Sequence, residues 1–344
     1  MTFVKWKTSR RRRIFLSYLK DWLLVFIMII LFFSLDKIHP YHREFSVKDP
    51  RLMFSSKPET VPVWLLIVVA IVAPMVFIAL VSLVIKRSGN DFHNGFLGLC
   101  LSLSMTIMVT EVIKITVGRP RPDFFARCHL PVDAVDPPFG LSNYTICLEP
   151  SDTPDMIDAF KSFPSGHASF SFAGLGFLAF YLAGKMHLFD ELGHTYKGFI
   201  FAFPWLGALL IAISRTRDYK HHWTDVFVGG ILGGALSYFA YRQYFPSLTH
   251  PCCDKPYGAR IRSNDFRNTF PEADEACRPI DFDSDPDTVS RYASTTRRPD
   301  RPRPLSSPVS HPPAIFPASN THTYRLSGSN STSITYPPKA NSMI

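Results

Sequence analysis

The chain has 344 residues, a formal charge of +9 from 37 Lys+Arg against 28 Asp+Glu, and 46% hydrophobic residues. Length alone would suit two or three soluble domains of about 150 residues, and the basic excess would suit a nucleic-acid binder. Both averages blend unlike halves: up to Tyr244 the sequence is a series of apolar blocks, while residues 251–344 are Pro-, Ser-, Thr- and Arg-rich and hold 14 of the 29 prolines. A single soluble globule is excluded, and six cysteines are too few for a secreted disulfide scaffold.

In chain order, Lys5, Lys7, Arg10, Arg11, Arg12 and Arg13 come first, with no acidic neighbour. The first apolar block, residues 17–35, is too long for a cleavable signal, and no small-residue cleavage site precedes Asp36, so it is expected to stay as an anchor. The positive-inside rule then puts the N-terminus in the cytosol. The second block, residues 61–85, has no charge in 25 residues, which rules out a buried helix of a soluble protein. Blocks at 96–117, 168–184, 198–213 and 226–244 follow, the fourth and fifth short enough to borrow flanking residues. Pro62, Pro74 and Pro204 lie in or beside spans, where neighbouring helices can re-satisfy freed backbone groups. In the sixth block Gly229, Gly230, Gly233 and Gly234 form two overlapping small-xxx-small pairs suited to close helix packing.

The expected architecture is an all-α integral membrane protein. Residues 1–13 form a cytosolic basic N-terminus, 14–245 a core of six transmembrane helices, and 246–344 a disordered cytosolic tail. The tail has too little apolar content to offset the entropy of ordering. Asp281, Asp283, Asp285 and Asp287 alternate as in a calcium loop, but Pro286 stands where Gly is needed and Tyr292 where Glu is needed, so calcium is excluded there. Cys252 and Cys253 follow the last span, where palmitoylated and unmodified thiols are both open readings.

Three polar clusters interrupt the apolar blocks. Lys114, Arg119, Arg121 and Pro122 end the third span; Pro164, Ser165, Gly166 and His167 begin the fourth; Ser214, Arg215, Arg217, Asp218, Lys220, His221, His222 and Asp225 join the fifth to the sixth. Alternating crossings bring all three to one face, lumenal or extracellular if the N-terminus is cytosolic. Snorkelling side chains could explain any one cluster, but not two histidines, an aspartate and several cations together. Fixed cations invite a multiply charged anion, and phosphate fits: Arg offers bidentate forks, Lys a point charge, and a helix starting at Gly166 its N–H groups. Two histidines can divide nucleophile and general-acid roles. Asp225, four residues after His221, could fix that imidazole's tautomer, cap the helix, or do both.

The order and spacing of these clusters resemble the lipid phosphate phosphatases, or type 2 phosphatidic acid phosphatases. Their three marks are Lys-x6-Arg-Pro, Pro-Ser-Gly-His and Ser-Arg-x5-His-x3-Asp. They read here as Lys114 to Arg121 and Pro122, Pro164 to His167, and Ser214 and Arg215 to His221 and Asp225. The resemblance covers roughly residues 14–257. The stretches at 118–125 and 244–248 look most like fungal diacylglycerol pyrophosphate phosphatases and their plant and animal relatives.

The resemblance implies a phosphatase acting on phosphatidate, diacylglycerol pyrophosphate and related lipid phosphates without magnesium or another cofactor. It implies His221 as nucleophile forming a phosphohistidine, and His167 as the acid that protonates the leaving group and later helps to activate water. Lys114, Arg121, Ser165, Gly166 and Arg215 would bind phosphate, and no metal ligands are expected. Rivals are a polyprenyl-pyrophosphate or sphingoid-base phosphatase and, in another class, a non-catalytic scaffold or lipid transporter; decay should have removed a motif residue, and none is missing. The partners expected are the bilayer and lipid phosphates, not nucleic acid. The resemblance favours the vacuolar membrane, with endoplasmic reticulum, Golgi and plasma membrane as alternatives.

Neighbouring residues read differently. His222 points about 100° from His221 on a helix and is expected not to be catalytic. Arg119 and Arg217 read as local phosphate or headgroup contacts, and Glu111 as a partner of Lys114, with a direct proton-transfer role as its alternative. In the loop from 118 to 163, Asn143 heads a glycosylation sequon usable only on the lumenal side, and Cys128 and Cys147 could pair there. A second sequon at Asn330 is expected to stay unmodified in the tail.

Overall fold

Apolar runs of this length can satisfy their backbone in a bilayer only as helices or closed barrels, and the chain takes the helical solution. The computed structural model describes residues 2–190 and 192–257, with side chains from Leu16 onward. The expected disordered tail, the Asp281 to Asp287 series and the Asn330 sequon lie outside the described residues. In chain order the α-helices are α1 (Thr2–Asp36), α2 (Val63–Ile67), α3 (Ala73–Ala79), α4 (Gly89–Val117), α5 (Phe124–Cys128), α6 (Pro154–Ala159), α7 (Gly166–Lys185), α8 (Thr195–Arg217) and α9 (Trp223–Tyr244). No named strand occurs among the described residues; Phe45 and Ser142 form an isolated antiparallel bridge.

Helices α2 and α3 belong to one rod, Val63–Ile85, whose turns at Val68–Val72 and Leu80–Ile85 are π-helical. Pro74 has no N–H for the Ala70 carbonyl, which explains a disturbance just before it. Gly174 of α7 uses the gap: its Cα abuts that same carbonyl, where a Cβ would collide.

Five helices are long and apolar enough to cross a membrane: Leu16–Asp36, Val63–Ile85, Gly89–Val117, Gly166–Lys185 and Thr195–Arg217. The sixth expected span, α9, has 22 residues but is diluted by four glycines, three tyrosines, Asp225 and Arg242. Its inward position accounts for that composition. Gly229 and Gly233 lie against the Ser165 and Ser169 carbonyls of α7, while Gly230 and Gly234 meet the rings of Phe172 and Trp205. The paired glycines thus serve two neighbouring helices.

The core sits where α4, α7 and α9 meet, filled by Leu97, Leu99, Leu101, Leu103, Phe177, Tyr181, Tyr241 and Tyr244. Outward faces remain apolar, with Phe26, Ile30 and Phe33 on α1 and Phe199, Phe203 and Leu210 on α8 all exposed. In water such faces would be an aggregation hazard; in a bilayer they are solvated by lipid.

One end of the bundle carries a cap built from α5, α6 and the segment after α1. Phe45, Leu52, Phe124, Met156 and Phe160 form its apolar centre, and a Cys128–Cys147 disulfide closes it. At the other end Lys185 and Tyr181 bind the buried Asp91. Cys252 and Cys253 are buried there, and the Cys253 thiol donates to the Gly184 carbonyl.

Candidate active site

Four helix ends converge beneath the cap: the ends of α4 and α8 and the starts of α7 and α9. α4 ends at Gly118, whose φ of 54° and contact with the Tyr41 carbonyl exclude a side chain. This stop leaves Lys114 on the last turn and sends Arg119 and Arg121 into the cap. α7 starts from Ser165, whose Oγ accepts from the Ala168 N–H at 3.4 Å. α9 starts from His222 with Asp225 as its first-turn carboxylate, each side chain bonding the other's backbone N–H. The Ser165 N–H donates to the Asp225 carbonyl at 3.0 Å, fastening the start of α7 to that of α9.

These joints bring the three sequence clusters together. Lys114 Nζ lies 3.2 Å from where a Cβ on Gly166 would stand, so glycine there leaves room for the ammonium at the helix N-terminus. His221 and His167 lie within electrostatic reach of Lys114, Arg121 and each other, and Arg215 acts on His167 as well. Arg215 is fully buried. Its Nη2 meets Asp218 at 3.2 Å and its Nη1 stands 3.4 Å from Glu59, without a hydrogen bond. His167 Nε2 is likewise buried and unpartnered among the described residues. Buried donors and ring nitrogens left in this state suit an anionic, proton-accepting ligand.

His221 is held by a residue that sequence reasoning missed. Its Nδ1 is 2.7 Å from the Ser162 carbonyl, which can only accept, so neutral His221 carries its proton on Nδ1 and keeps the Nε2 lone pair free. Asp225 is 4.0 Å from the same Nδ1, close enough to act through charge but not as the hydrogen-bonded orienter expected. Its carboxylate instead accepts from Ser162 Oγ at 2.6 Å, Arg119 at 2.6 Å and the His222 N–H at 3.1 Å. Ser162 therefore touches both His221 and Asp225. Burial, followed by the Arg121 and Lys114 charges, pushes His221 well below the ordinary imidazole value, against the opposing pull of the Ser162 carbonyl.

The neighbours sort differently from the sequence expectation. Arg119 donates through one nitrogen to Asp225 and Thr224, so it also holds the start of α9. Glu111 is closer to Lys161, at 3.0 Å, than to Lys114, at 3.7 Å. His222 is the helix cap. Arg121 donates to the Asp158 carbonyl, its carboxylate and the Lys220 carbonyl, at 2.9, 2.6 and 3.3 Å, which fixes its guanidinium. The segment 54–62 straps the site: Thr60 donates twice to Asp218, Phe54 stacks on Tyr219, and Lys220 reaches Ser56 and the buried Asp123. The only sequence signal for Lys161 and Ser162 was their place just before Phe163, Pro164, Ser165, Gly166 and His167; Glu59 and Thr60 gave none.

Residues 95–248 match the PAP2 superfamily. Lipid phosphate phosphatase 2 of Arabidopsis thaliana is 40% identical over 68% of this chain and 79% of its own length. Lipid phosphate phosphatase 1 of the same plant is 37% identical, covering 70% and 72%. Diacylglycerol pyrophosphate phosphatase 1 of Saccharomyces cerevisiae is 35% identical, covering 69% and 83%. No solved structure matches the chain. The chain belongs to the PAP2 superfamily.

Proposed function

We propose that this protein is a multi-pass membrane phosphatase that hydrolyses lipid phosphates, phosphatidate and diacylglycerol pyrophosphate among them, without magnesium. The observation that carries this reading is the Ser162 carbonyl on His221 Nδ1, which leaves Nε2 as a nucleophile inside a ring of cations. His221 Nε2 attacks phosphorus, forming an N–P bond as the bond to the leaving oxygen breaks. His167 gives that oxygen its proton, then takes one from the water that cleaves the N–P bond and frees inorganic phosphate. Lys114, Arg121, Arg215, Ser165 and the Gly166 N–H stabilise the equatorial oxygens. Asp225 opposes the positive charge that develops on His221.

The same reading takes α9 as the sixth span, residues 14–245 as the catalytic core, and the cap as lumenal or extracellular. The arginine run before the first span, the exposed Asn143 sequon and the Cys128–Cys147 disulfide support that orientation. The host membrane, vacuolar by resemblance, is read by imaging the tagged protein.

The test is phosphate release by purified protein from phosphatidate, diacylglycerol pyrophosphate, a sphingoid-base phosphate and dolichyl pyrophosphate, each with and without excess chelator. Turnover of the two glycerolipids that survives chelation is expected. Preference for either other substrate, or strict dependence on magnesium, contradicts the proposal.

A further inference from the structure

Glu111 precedes Lys114 by three residues on α4, so helix geometry alone makes them neighbours. A carboxylate buried to 3% exposure would ordinarily claim the nearest ammonium. Here it is engaged elsewhere. Glu111 Oε1 accepts from Lys161 Nζ at 3.0 Å, while Lys114 Nζ stands 3.7 Å from Oε2, outside hydrogen-bond range. Lys161 is 5% exposed, and it also donates to the Asp36 carbonyl at 3.0 Å and carboxylate at 3.2 Å, at the end of α1. Asp36, Lys161, Glu111 and Lys114 thus form a row of alternating charge whose last member lies at the N-terminus of α7 beside Gly166.

We infer that Lys161 is a positioning residue for the proposed reaction: by engaging Glu111 it keeps the Lys114 ammonium free for a phosphoryl oxygen. The inference rests on the reading of Lys114 as a phosphate ligand. Without Lys161, the Glu111 carboxylate has one cation left within reach. It closes the gap to Lys114, draws the ammonium away from Gly166 and cancels its charge where the phosphoryl oxygens need it. Lys161 itself touches no substrate; it acts through Glu111.

The experiment uses the full chain in mixed detergent micelles and reads two quantities, KM for phosphatidate and competitive inhibition by inorganic phosphate. Lys161→Met is expected to weaken both by about tenfold or more, whereas Lys161→Met with Glu111→Gln returns both to within about threefold of wild type. A purely structural role predicts instead that Lys161→Met lowers thermal stability while phosphate inhibition of the folded protein stays at the wild-type level. If Lys161→Met alone fails to accumulate, the double variant, which buries no unpaired charge, decides by the same inhibition. A double variant still about tenfold weaker than wild type overturns the inference, as does Lys161→Met with unchanged phosphate inhibition. Lys114→Met separates the two levels. Unchanged inhibition there overturns the Lys114 reading and this inference with it, while lost inhibition together with an unrescued double variant overturns this inference alone.

Discussion

Replacing Asp225 with Asn tests the electrostatic part of the mechanism. The substitution keeps the side chain's shape and one acceptor but removes its charge. Ser162 still holds the Nδ1 proton of His221 through its carbonyl at 2.7 Å, so the nucleophile's tautomer survives. What is lost is a carboxylate 4.0 Å from a ring that becomes positive as phosphorus is attacked. At an effective dielectric of about 20, that charge is worth about 4 kcal/mol, close to three decades in rate. Initial rates of phosphate release from phosphatidate micelles should therefore show kcat reduced about 100- to 1000-fold, with KM moved less than about threefold. Thermal unfolding is measured alongside, because Arg119 loses its charged partner at 2.6 Å. A folded Asp225→Asn protein that keeps more than about a tenth of wild-type kcat would refute the reasoning.

Burial and the Arg121 and Lys114 charges hold His221 below 6.5, so the proposed nucleophile stays neutral into mildly acidic solution and the acidic limb of kcat/KM should lie below pH 6.5. The unfolded imidazole takes a proton near 6.5 and the folded one only at lower pH, so this group's contribution to stability is complete above 6.5 and lost on acidification. An acidic limb centred at or above 6.5 would contradict the placement of His221. The Cys128–Cys147 bridge spans a sequence separation of 19, and replacing both with Ser should cost about 3 kcal/mol of stability, read as earlier unfolding in a denaturant series. Asn143 is exposed, and its side-chain oxygen accepts from Thr145. Endoglycosidase should increase the protein's mobility on gels, and Asn143→Gln should abolish that change; glycan on a site engineered into the N-terminal segment instead would invert the proposed orientation.

Periodicity and length made the membrane helices readable, because a bilayer demands long apolar runs whatever the tertiary contacts. Boundaries were less readable. The fourth and fifth blocks extend to Gly166–Lys185 and Thr195–Arg217, since polar residues at their ends continue the helix while serving the site. The three clusters could be placed at one end by counting crossings, and local joints such as Ser165 N–H to Asp225 O bring them together. Pairing among them was not readable. His221 and Asp225 are four residues apart, yet the nearest acceptor to His221 Nδ1 comes from Ser162, 59 residues away in sequence. Glu111 likewise finds Lys161, 50 residues on, rather than its helical neighbour. Partners of that kind are set by how the cap folds over the helix ends, and a single sequence carries no period or spacing that encodes them.

In the proposed reaction His221 carries the phosphoryl group between lipid and water. The most direct measurement is acid-free, rapid denaturing quench of protein turning over phosphatidate labelled with radioactive phosphorus, comparing wild type with His221→Ala in excess chelator. Label that stays on the wild-type chain in base, is released in acid and is absent from His221→Ala is the predicted result. Phosphate release by His221→Ala at the wild-type rate would contradict it.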